Sequence, residues 1–140
     1  MNAPGPTIEE FEALDVDPAA FGHEAHVYVA WSYLQKMDLL ASIDRYRSVL
    51  RRLTEKLGVP GKYHETITWF YMIGVSERAT GAGASDWNAF KDGNPDLFAG
   101  KPNIIRRFYS EGRLMSDKAR QTFVLPDLSP GEAAFSTAAK

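Results

Sequence analysis

Between Asp38 and Leu57 the apolar residues Leu39, Leu40, Ile43, Tyr46, Leu50, Leu53 and Leu57 recur at three- and four-residue intervals. One face of an α-helix satisfies that period and a strand does not. Gly58 follows as a stop. Two other stretches carry stripes of the same period. Residues 21–37 place His23, His26, Ala30, Tyr33, Leu34 and Met37 on one side, and residues 62–79 do the same with His64, Ile67, Thr68, Tyr71 and Val75. The expected fold is therefore all-α, a single-domain helical bundle of three longer helices with several short C-terminal helices packed against them. The opposite face of the 38–57 helix carries Arg45, Arg47, Arg51, Arg52, Glu55 and Lys56, charges of mixed sign that read as a solvated surface.

Local signals set the remaining boundaries. Thr7 and Glu10 have the spacing of a capping box, so a short helix is expected over 8–14 with Phe11 and Leu14 inward. Asp17 before Pro18 is a second start, and Gly22 can bend the chain into the first long helix. Residues 80–84, with Gly81 and Gly83, form a connection. Beyond it Ser85 can cap a helix holding Trp87 and Phe90, Pro95 and Pro102 can each open another, and Ser116 with Asp117 precedes one over 119–123. The domain is expected over 7–127, between a flexible N-terminus at 1–6 and a disordered tail at 128–140.

Composition narrows the chemistry. A length of 140 residues is enough for one domain with a real core. A net charge of −2 with interspersed signs argues against a nucleic-acid partner. No stretch approaches the roughly 18 apolar residues of a membrane span, and residues 1–6 lack the basic start and apolar run of a secretory signal. The absence of cysteine excludes disulfides, thiolate ligands and a cysteine nucleophile, and fits a cytoplasmic protein. Gly-rich phosphate loops, nucleophile elbows and dinucleotide fingerprints are also missing. A small-molecule ligand is the expected partner, and a homodimer is left open.

All three histidines fall in two phrases, Phe21-Gly22-His23-Glu24-Ala25-His26 and Tyr63-His64-Glu65-Thr66. Imidazole turned toward a core needs partners for its ring nitrogens. His-x-x-His on one helix plus a histidine from a packed neighbour makes a facial N3 set with open positions. The leading expectation is thus a mononuclear divalent-metal site of His23, His26 and His64, for which zinc, iron, copper and nickel are all acceptable. Glu65 is then the proton acceptor beside Tyr63, while Tyr33, Thr68, Tyr71, Tyr109 and Arg120 position the substrate of a lyase, cyclase, hydrolase or oxygenase. Two other readings stand beside it. In one, a metal-free isomerase or cyclase uses His64 as general base next to Tyr63. In the other, the histidines are hydrogen-bonded core residues of a non-catalytic helical binding module.

The phrases Phe-x-His-x-x-His with Ala30-Trp31-x-Tyr33-Leu34, Lys62-Tyr63-His64-Glu65-Thr66-Ile67-Thr68, and Tyr109-Ser110 with Ser116, Ala119-Arg120 and Phe123-Val124-Leu125-Pro126-Asp127 resemble a group of small bacterial proteins. The resemblance runs from Phe21 through most of the domain. It implies a stand-alone module of about this length and carries no reaction with it. It also draws attention to the C-terminal phrase, whose Tyr109, Ser110, Ser116 and Arg120 beside Pro126 and Asp127 are expected to fold back across the mouth of the helices.

Overall fold

The start and stop signals are realised side chain by side chain in the computed structural model, which describes residues 3–80, 83–100 and 103–129. The Thr7 hydroxyl accepts from the Glu10 amide and the Glu10 carboxylate from the Thr7 amide, opening helix α1, Ile8–Glu12. Leu14, at φ 60°, ends it; the amides of Leu14 and Asp15 return to the carbonyls of Phe11 and Glu10. Asp17 then accepts from the Ala19 amide at the short turn Pro18–Ala20. Gly22 is the N-cap of α2, His23–Leu34, and Asp38 caps α3, Leu39–Lys56, by accepting from the Ala41 amide. Gly58 takes φ 74°, the left-handed conformation that a stop glycine supplies.

Helix α2 is the central element and is apolar on nearly every side for that reason. Its Val29, Ala30 and Tyr33 join Phe11, Ile43, Tyr46 and Leu50 in one core cluster. Val27 and Trp31 face the other way, onto Val75, Phe90, Leu97 and Ile104. The stripe on α3 is buried at Ile43, Tyr46, Leu50 and Leu53 as the period requires, with Val49 added. Leu40, 73% exposed, points away from it. The charged face of α3 is not uniformly solvated: Arg45 pairs with Glu12 at 2.8 Å and Arg47 with Glu65 at 2.9 Å.

The third long helix, α4, spans Glu65–Arg78 and packs on both α2 and α3. It begins later than the stripe over 62–79 suggests, because His64 caps it instead of lying within it. Four shorter helical pieces were expected from proline and serine signals, and most are present. Helix α5, Trp87–Gly93, is capped by Asp86 in place of Ser85. Tight turns follow at Pro95–Leu97 and Ile104–Arg107. Ser110 caps α6, Glu111–Leu114, a helix the periodicity did not reveal, and Ser116 caps α7, Asp117–Gln121.

The C-terminal phrase packs against α4. Thr66 on α4 donates to the Thr122 carbonyl at 2.9 Å and accepts from the Val124 amide, while the Tyr109 hydroxyl donates to the Val124 carbonyl at 2.7 Å. At the other end of the chain, residues 4–6 are half-buried where flexibility was expected. Gly5 lies so close to α2 that a Cβ there would meet the Tyr28 ring at 3.1 Å. Met1, Asn2 and most of the expected tail, residues 130–140, lie outside the described residues. Among the described residues the fold is all-helical, and no helix is long and apolar enough to cross a membrane.

Candidate functional site: a histidine-bearing cavity between three helices

Helices α2, α3 and α4 enclose a cavity of about 710 Å³, within the size range of small-molecule sites. The α2 wall is His23, His26, Val27 and Ala30, the i, i+3, i+4, i+7 set of one helical face. Tyr46, Leu50 and Leu53 from α3 and Ile67, Thr68 and Tyr71 from α4 supply most of the rest. Pro18, Leu57 and Lys62, all exposed, mark its rim.

All three histidines reach this cavity, and each is held by the backbone in a different way. His64 is buried; its Nε2–H donates to the Leu114 carbonyl at 2.6 Å and its Nδ1 accepts from the Ile67 amide at 3.2 Å. Both ring nitrogens are thereby engaged. Burial pushes its pKa below the ordinary 6.5, with Arg120 acting in the same direction against the Leu114 hydrogen bond. His23, on the rim, donates from Nε2 to the Leu97 carbonyl at 2.7 Å and meets Tyr71 edge to face, ring centres 4.8 Å apart.

His26, less exposed than His23, is likewise held through one ring nitrogen. Its Nδ1–H donates to the Gly22 carbonyl at 2.8 Å, which fixes the tautomer, because a carbonyl can only accept. Nε2 is therefore a bare lone pair. It has no hydrogen-bond partner among the described residues, and it is not sealed off from solvent. Phe21 covers one face of the ring, centre to centre 4.1 Å. Burial, then the nearby His23, hold its pKa below 6.5, opposed by the Gly22 bond, so the ring is neutral at pH 7.

In this geometry the expected metal set is not assembled. The three imidazoles share a cavity, but among the described residues no three His, Asp or Glu side chains come together as a group able to hold an ion. His64 cannot offer a nitrogen without giving up either the α4 cap or Leu114. The same bonds remove it as general base. Glu65 is likewise committed: buried at 5% exposure, it accepts from Arg47 Nε at 2.9 Å, from Trp69 Nε1 at 3.1 Å, and from the Tyr63 hydroxyl. It is not among the residues lining the cavity, whereas Tyr63 is. Desolvation and the Glu65 hydrogen bond push the Tyr63 phenol well above its ordinary range.

The expected substrate-positioning residues divide. Thr68 and Tyr71 line the cavity. Thr68 donates to the His64 carbonyl at 2.9 Å; burial raises the Tyr71 phenol to about 12 against the Ile105 backbone. Tyr33, Tyr109 and Arg120 do not line it. Tyr33 is fully buried and donates to Glu12 at 2.8 Å, and Tyr109 anchors Val124. Arg120 donates to the Gly61 carbonyl beside a smaller groove that it shares with Arg51 and Tyr63. Sequence reasoning passed over Phe21 and Lys62 as site residues, although both stand in the phrases that hold the histidines.

Fold and site together define an all-α protein with a ligand-sized, largely apolar cavity lined by an imidazole, that of His26, whose Nε2 is unengaged. No protein-family model matches the chain, and no curated protein and no solved structure matches it.

Proposed function

We propose that this protein binds a small, mostly apolar molecule between α2, α3 and α4 and acts on it through His26 as a metal-independent general base, the chemistry of an isomerase or cyclase. The single observation that carries the reading is the bare Nε2 of a neutral imidazole in an apolar cavity. Three features support it. The Gly22 carbonyl stabilises the positive ring that forms when Nε2 takes a proton. Phe21 holds the ring plane. Apolar walls from Leu50, Leu53 and Ile67 strengthen any hydrogen bond made inside them.

A base can be tested without knowing the natural substrate. Nitrobenzisoxazole opens to a coloured cyanophenolate when a base removes its single acidic C–H, and it is small and apolar enough for the cavity. With chelator present, the protein should accelerate the opening above buffer, with a rate that rises with pH as His26 loses its proton. His26→Phe should remove at least about 90% of the excess rate, and its thermal unfolding should show that the fold survives. No acceleration, an unchanged His26→Phe rate, or loss of activity in chelator would each reject the proposal.

A further inference from the structure

We infer that the cavity selects an apolar molecule bearing a hydrogen-bond donor, an O–H or N–H as in a phenol, an alcohol or an indole. The inference rests on the reading of the cavity as a small-molecule site, and it follows from the side-chain hydrogen bonds of the wall.

Four hydroxyls of the wall are already spent as donors. Tyr46 donates to the His26 carbonyl at 3.3 Å, Thr68 to the His64 carbonyl at 2.9 Å, Thr54 to the Arg51 carbonyl at 2.9 Å, and Tyr63 to Glu65. Tyr71 differs: its hydroxyl oxygen accepts from the Ile105 backbone N–H. The N–H of His26 is directed at Gly22, and the Nε2–H groups of His23 and His64 at Leu97 and Leu114. Foremost among the acceptors left on the wall is His26 Nε2. Lys62 is cationic, and it stands exposed on the rim.

An ether in the cavity would leave Nε2 desolvated and unpaired. A hydroxyl satisfies it. Discrimination of this kind, set by a buried polar group left without its partner, is worth at least about tenfold in affinity.

The test is calorimetric titration of the full chain at neutral pH with three probes of one shape, naphthol, methoxynaphthalene and naphthoate. Naphthol is expected to bind at least about tenfold more tightly than methoxynaphthalene, and more tightly than naphthoate, which at neutral pH has no proton to donate. His26→Phe should bring naphthol down to the ether's affinity, and His26→Gln, whose amide oxygen can accept, should keep part of the difference. His26→Leu replaces the Phe variant if thermal unfolding finds the latter misfolded. Equal binding of naphthol and its ether, or naphthoate binding most tightly through Lys62, would overturn the donor rule while leaving the cavity as a ligand site. Failure of all three probes to bind would instead overturn the small-molecule reading on which the rule stands.

Discussion

His64 and Leu114, 50 residues apart, are joined by a 2.6 Å hydrogen bond from the imidazole Nε2–H to the backbone carbonyl, while the opposite ring nitrogen caps α4 at the Ile67 amide. One side chain thus closes a helix start and ties the C-terminal helices to it. His64→Ala should lose both bonds and leave the Leu114 carbonyl unpaired, a loss of about 2–4 kcal/mol. His64→Asn restores an acceptor at the cap and should recover about 1 kcal/mol of that. Urea unfolding midpoints decide it. Parent-like stability of the alanine variant, or an asparagine variant no better than alanine, would show that the imidazole is not the cap.

Stability should fall in mild acid, and the sign follows from linkage. Burial holds both His26 and His64 below the 6.5 of an unfolded histidine. As pH drops below about 6.5 the unfolded chain takes up protons that the folded chain refuses, so the folded state loses ground. For buried His64 the slope is at most about 1.4 kcal/mol per pH unit. Carboxylates contribute at lower pH: Arg45 holds Glu12, and Arg78 holds Asp96, below the usual range. Their share is present above about pH 4 and is lost beneath it. Melting temperatures should therefore decline from pH 7 to 5. In a His64→Asn background that decline should be shallower, and an identical decline would reject the assignment.

Glu65 accepts from Arg47, Trp69 and Tyr63 and so ties the start of α4 to α3. Glu65→Gln should destabilise by about 2 kcal/mol, below the roughly 3–5 kcal/mol of a fully sealed pair. The reason is that Arg47, 29% exposed, can turn to water. Adding Arg47→Met should recover part of the loss. Naphthol affinity in the single variant should stay within about twofold of parent, since a carboxylate outside the cavity holds the wall without touching the ligand. A tenfold fall in affinity with stability intact would return Glu65 to the site.

Much of this architecture could be read along the chain, because it rests on local physics. The Thr7–Glu10 box, the Asp38 cap, the α3 stripe and the Gly58 stop depend on residues within one or two turns of each other. The face joining His23, His26 and Ala30 was legible for the same reason. What stayed hidden depends on partners far away in sequence. His64 looked like a residue inside a helix because histidine is not a usual N-cap, and its second partner belongs to α6, a four-residue helix without periodicity. Glu65 and Tyr33 were read toward the site because helical spacing gives a direction and not a partner; Arg47 and Glu12 claim them.

Tyr33 offers a direct check on that division. Its phenol, pushed well above its ordinary range by burial and then by Glu12, is spent on a contact with α1. Tyr33→Phe should lose about 1 kcal/mol of stability and leave both naphthol binding and benzisoxazole opening unchanged. A loss of either function without a loss of stability would put the hydroxyl back in the cavity.

Ala30 is where the space itself can be tested, because it lies on the α2 wall between α3 and α4 and is 2% exposed. In a close-packed core a larger residue there would force its neighbours apart and lower stability by about 1–3 kcal/mol. Against an empty volume the outcome reverses. Ala30→Leu would send its added methyl and methylene groups into the cavity, remove them from water, and gain up to about 2 kcal/mol. Naphthol and methoxynaphthalene would then weaken together, by at least about tenfold, since both need the same space. His26 would keep its bond to Gly22, one turn away from the substitution. A variant that melts lower than the parent and still binds both probes at parental affinity would mean that ligand and leucine do not compete, and that the probes bind somewhere other than between α2, α3 and α4.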